Sequence, residues 1–124
     1  MTQPLALVVY EELKPGSQLV NRLQDLQYRV QPISDARQLG DNAQIGGTML
    51  IFLDLGIKAV PASTLITDLK ANAATAHIPI IAFADEGTEE TLAAAKQAGA
   101  NQVVTDTAVL AHLPEIIQQA LQVE

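Results

Sequence analysis

Two stretches of the chain are apolar without interruption, residues 5–10 (LALVVY) and residues 49–54 (MLIFLD). Runs of this length with no polar alternation fit strands covered on both faces, as in the middle of a parallel sheet. The second run ends in a carboxylate, Asp54, and then loosens into Leu55, Gly56, Ile57 and Lys58. Residues 28–33 alternate, with Val30 and Ile33 apolar and Arg29 and Gln31 polar, which predicts a shorter strand nearer an edge. Ile80, Ile81, Ala82, Phe83 and Ala84 read as a fourth strand, with Pro79 at a first position where a missing N–H is tolerated. Residues 101–105 supply a short fifth.

Helical spacing fills the gaps between these strands. Pro15 and Gly16 mark a turn and Ser17 can cap, after which Leu19, Val20, Leu23 and Leu26 recur on one face. Ser34 or Asp35 caps a weak helix through about residue 45, ended by Gly46 and Gly47. Pro61 and Ala62 lead into Ser63, and Leu65, Ile66, Leu69 and Ala73 mark the next amphipathic helix. Gly87 and Thr88 begin an Ala-rich helix whose positive end suits Glu89 and Glu90, and Gly99 stops it. Thr107 or Ala108 opens the last helix, with Leu110, Leu113, Ile117 and Leu121 on one face. Val109, Ile116 and Val123 lie beside that stripe, giving an apolar arc of roughly 160° at about 100° per residue. One sheet contact needs less. Val109, Leu113 and Ile116 are therefore candidate interface positions for a partner or a second copy, unless the monomer itself covers them.

Strand and helix alternate five times, which predicts an α/β fold: a doubly wound parallel sheet with helices on both faces, in three layers. At 124 residues the prediction is one domain, residues 1–124, with no internal repeat or linker.

Composition narrows the function more than the fold. A 48% apolar chain with 3% aromatic residues builds its core from Leu, Ile, Val and Ala and offers little for stacking on bases or flavins. The net charge of −7 argues against nucleic acid and anionic membranes, both of which are bound through Lys and Arg. No apolar run approaches a bilayer span and the N-terminus lacks the basic start of a signal peptide, so a cytoplasmic location is expected. Without cysteine there are no disulfides, zinc fingers or thiol nucleophiles. His77 and His112 have no ligand-like spacing and read as loop or helix-surface residues.

The turn after the first strand, YEELKPGS, has one glycine and two carboxylates, which disfavours nucleotide or flavin phosphate binding. No G-x-S-x-G elbow occurs, and Ser63 is not placed as one, which argues against a hydrolase. The remaining candidates are acidic. Glu11 (with Glu12), Asp54 and Asp106 follow the first, third and fifth strands, and convergence at one rim would hold a hard cation or raise their pKa values. Parallel sheets carry their functional crevice outside the carboxyl ends of the strands, which makes Asp54 a site candidate. The plain alternative is that Asp54 ends its strand and the other acids are solvated loop residues.

Over nearly its whole length the chain resembles the receiver domain of bacterial response regulators, the CheY-like, flavodoxin-like fold. LKANAATAHIPIIAFAD over residues 69–85 is similar to the LRALRADP-type segment and fourth strand of that family, and AAAKQAGANQVV over residues 93–104 is similar too. The resemblance implies strand order 2-1-3-4-5. It implies a phosphoacceptor at Asp54, a magnesium-binding acid pair at Tyr10 and Glu11, a switch hydroxyl at position 84 and a lysine at position 106. Only Asp54 matches fully. Tyr10 displaces one acid unless the frame slips to Glu11 and Glu12, Ala84 carries no hydroxyl, Asp106 reverses the lysine charge, and Lys58 stands where the family has proline. The expectation is a non-enzymatic pseudo-receiver that docks a signalling partner, such as a histidine-kinase-type protein, or forms a homodimer. No cofactor is required by this reading, while magnesium at Glu11 and Asp54 belongs to the alternative, a true receiver phosphorylated at Asp54.

Overall fold

The computed structural model describes residues 5–10, 13–33, 38–39, 43, 48–55, 62–73, 75–84 and 89–121. Five parallel strands, β1 (Leu5–Val9), β2 (Arg29–Ile33), β3 (Thr48–Asp54), β4 (Ile80–Ala84) and β5 (Gln102–Thr105), form one sheet in the order β2-β1-β3-β4-β5. The helices are α1 (Leu13–Asp25), α2 (Ala62–Ala71), α3 (Glu89–Ala98), α4 (Asp106–Ala111) and α5 (Leu113–Leu121). The weak helix expected after β2 lies outside the described residues, apart from Gln38 and the buried Leu39 and Ala43.

Side chains alternate along a strand, so an uninterrupted apolar run must feed two cores. In β1, Leu7 and Val9 enter the cluster under α2 and α3, while Ala6 and Val8 enter the one under α1, α4 and α5. β3 divides in the same way, sending Ile51 and Leu53 to the first cluster and Leu50 and Phe52 to the second. β2 is an edge strand, and it tolerates Pro32 because a missing N–H there breaks no central ladder.

Helix boundaries differ from the sequence reading at α1 and in the C-terminal segment. α1 begins at Leu13, so Pro15 and Gly16 are helical and do not form the turn. First-turn N–H groups have no intrahelical acceptor, and a proline there sacrifices nothing. The C-terminal segment is two helices, interrupted at His112 (φ −122°, ψ 30°). Pro114 is the cause: it has no N–H to donate to the carbonyl of Leu110 four residues back, and its ring crowds that carbonyl, so one helix cannot run through.

α1 and α3 end in the same way. Ala100 N–H donates to Ala95 O and Gly99 N–H to Lys96 O, both at 3.1 Å, with Gly99 at φ +121°. Tyr28 N–H donates to Leu23 O and Gln27 N–H to Gln24 O, both at 3.0 Å, with Gln27 at φ +73°. These are Schellman caps. A Cβ at position 99 would also stand 3.0 Å from Lys70 Cγ, so the glycine is needed for space as well as conformation.

Lys70 ties the amino ends of β4 and β5 together. Its Nζ donates to Asn101 Oδ1 (2.9 Å), Ile78 O (3.1 Å) and Ala76 O (3.3 Å). The same Asn101 oxygen accepts from Ile80 N–H at 3.0 Å. Burial lowers the pKa of Lys70, a cost that three oxygen acceptors oppose. Lys70→Met keeps the aliphatic stem and removes the donor, so it should lower the unfolding free energy by about 1–3 kcal/mol in urea titrations. An unchanged midpoint would show that this network contributes nothing.

Candidate functional site

The site is built from residues at and just past the carboxyl ends of β1, β3, β4 and β5. Val9 pairs with Leu53, which sets Tyr10 beside Asp54. Asp54 pairs with Phe83, and Leu55 N–H donates to Phe83 O at 2.8 Å, bringing Ala84 to the same rim. Ala84 pairs with Thr105, and Asp106 is the next residue.

Asp54 is half-buried at the tip of the central strand, where the sequence placed it. Tyr10 is half-buried too, packs against the cluster under α1 and donates its N–H to Ile33 O at 3.3 Å. Ala84 is 6% exposed and belongs to the cluster under α2 and α3, so β4 ends in a buried methyl. Glu11 and Glu12 lie outside the described residues.

The acidic rim is less convergent than the strand endings suggested. β4 lies between β3 and β5, so at about 4.8 Å per strand the backbones at Asp54 and Asp106 are roughly 10 Å apart. Asp106 is not a loop residue either. It is the first residue of α4, where an acid complements the positive helix end, and the Thr105 hydroxyl accepts from Ala108 N–H at 3.1 Å as the N-cap. The helix was expected to open at Thr107 or Ala108. A Thr-Asp pair after a strand is a helix-start signal.

Magnesium takes oxygen ligands, usually from one or two carboxylates. Among the described residues no group of three or more His, Asp or Glu side chains gathers to hold a metal, and Tyr10 stands in one of the two acid positions. Glu11, which the magnesium alternative pairs with Asp54, and Glu12 lie outside those residues. A cleft of about 270 Å³ opens beside Leu55, between the start of α2 and α3, with Ser63, Glu90 and Thr91 among its lining residues. Its described lining includes no cationic side chain to receive a phosphoryl group.

Val109, Leu113 and Ile116 are core residues, 0, 1 and 7% exposed, and are not an interface. The wide arc arose from winding one helical wheel through two helices. Because the backbone breaks at His112, the α4 and α5 positions do not share one phase, and Val109, Leu113, Ile116 and Ile117 all reach the same cluster. His77 and His112 are exposed, as expected of isolated histidines.

No protein-family model matches the chain, and no curated protein sequence matches it. Solved structures do. The chemotaxis response regulator CheY4 of Vibrio cholerae is similar at 20% identity and a TM-score of 0.78, over 93% of this chain and 99% of that one. The signal receiver domain of a DNA-binding response regulator from Colwellia psychrerythraea superposes with a TM-score of 0.83 at 18% identity, over 96% and 98% of the two chains. The beryllofluoride-activated NtrC4 receiver domain dimer gives 0.82 at 19% identity, over 95% and 96%. This chain therefore has the fold of response-regulator receiver domains.

Burying a carboxylate at position 109 would leave a charge with no partner in the α4 cluster, a cost of several kcal/mol. Val109→Asp should consequently unfold the protein or shift its denaturation midpoint far down, as read by circular dichroism. Wild-type stability in that variant would restore position 109 as a surface.

Proposed function

We propose that the chain is a receiver-like signalling module that acts by docking a protein partner, without ordinary phosphorylation at Asp54. The observation that carries this reading is the occupancy of the rim: Tyr10 beside Asp54, the methyl of Ala84 at the end of β4, and Asp106 where the resemblance calls for lysine. Phosphoryl transfer relies on fixed cations to stabilise the developing charge. At roughly 10 Å and an effective dielectric near 20, Asp106 opposes each unit of negative charge at Asp54 by about 2 kcal/mol, whereas a lysine would attract it. The sign of the field is wrong for the chemistry, and the hydroxyl that would read the product is missing.

The partner class rests on the same resemblance: a histidine-kinase-type protein or another component of a two-component pathway. Self-association is a second route, since one of the similar structures is a receiver-domain dimer. The net charge of −7 does not favour nucleic acid, and no helix among the described residues is long and apolar enough to cross a membrane. A cytoplasmic, non-enzymatic role fits these properties.

Incubation with acetyl phosphate and magnesium should leave the intact mass unchanged. Tyr10→Asp combined with Ala84→Thr and Asp106→Lys should then raise uptake at Asp54, by about tenfold or more if the field at the rim is the main obstacle. A stoichiometric adduct on the unmodified protein, absent from Asp54→Asn, would instead establish Asp54 as a working phosphoacceptor.

A further inference from the structure

The helix break and the end of α1 together create a groove away from the strand-end site. Its volume is about 250 Å³, with Leu26, Leu110 and Pro114 presenting apolar surface over the buried Leu113 at its floor. Arg22, Asp25 and Glu115 stand around it, all exposed. That is below the range of about 300–1,000 Å³ usual for clefts that hold drug-sized ligands, and it suits a single large aliphatic side chain.

Leu26 is 38% exposed, one of two large hydrophobic residues so exposed among those described. The cap that ends α1 does not need it. In a Schellman motif the apolar contact joins the third-last helical residue to the second residue beyond the cap, here Leu23 and Tyr28, and both belong to the cluster under α1. The motif leaves Leu26 outside, and it does so with a non-glycine residue, Gln27, at φ +73°. Left-handed backbone at such a residue is costly, and costs of this kind concentrate at binding sites. Across the groove, Pro114 both breaks the helix and supplies part of the apolar wall.

Charge selects the occupant. Two of the three charged residues at the groove are acids, and the whole chain carries −7, so an acidic segment is repelled here while a basic one is drawn in. We propose that this groove docks a basic amphipathic helix of a partner protein, with one leucine- or methionine-sized side chain seated between α1 and Pro114 and lysine or arginine flanks facing Asp25 and Glu115. The surface is separate from the strand-end rim, so the proposal stands whether or not Asp54 accepts a phosphoryl group.

The test is a titration of the full, isotope-labelled chain by NMR at low salt. The probe is a synthetic helical peptide with leucines at i, i+3, i+4 and i+7 and lysines elsewhere, and the control carries glutamates in place of the lysines. Shifts should concentrate at the end of α1 and across the α4–α5 break for the basic peptide alone. Leu26→Ser, and separately Asp25→Lys with Glu115→Gln, should each weaken binding by about tenfold or more. These side chains are exposed, and a lysine near the end of α1 complements its dipole, so the variants keep the fold. Absence of binding, shifts centred elsewhere, or unaltered affinity in both variants would overturn the proposal. So would a wild-type dimer in light scattering that Leu26→Ser dissolves, because a second copy would then be the occupant.

Discussion

Everything in this molecule depends on a sheet that must be covered on both sides. Strands with apolar residues at every position leave no face for water, so the chain has to supply a helical layer above and another below. β1 and β3 divide their side chains between the two layers, and the resulting cores meet only through the strands. Asp54 is where this demand stops, at the tip of the central strand. Its half-burial is a product of the sheet, and so is the company it keeps.

Register decides that company. Parallel pairing brings the residues after each strand to one rim in a fixed lateral order, whatever their chemistry. Here that order sets Tyr10, Asp54, Ala84 and Asp106, the first residue of α4, along the rim. Among the described rim positions the strand scaffold is that of receiver domains, while Ala84 and Asp106 carry neither a hydroxyl nor a cation.

The architecture was legible because its strongest determinants are local and long: two unbroken apolar strands, alternation of strand and helix, and a glycine where α3 ends. Asp54 was legible for the same reason, as punctuation on the central run. The errors came where one residue outweighs a pattern. Pro15 and Gly16 suggested a turn, but the first turn of a helix accepts both. Pro114 lies within a segment whose apolar spacing continues smoothly past it, so the break was hidden and the arc seemed too wide for one monomer. Sharing a rim was legible for Asp54 and Asp106, but the strand endings did not show that two strand spacings separate their backbones. The groove beside Leu26 has no sequence signature of its own, since it depends on how α1 and the α4–α5 break meet in space.

Thr105 belongs to two elements at once, as the last residue of β5 and the cap of α4. With no linker between them, strand register and helix phase are a single variable. Inserting one residue after Thr105 would rotate α4 by about 100° about its axis and turn Val109 away from its core. Insertions are usually absorbed where strands give way to helices, because a loop takes up the slack. This junction has no slack, and its length should be as tightly constrained as the identity of any buried side chain.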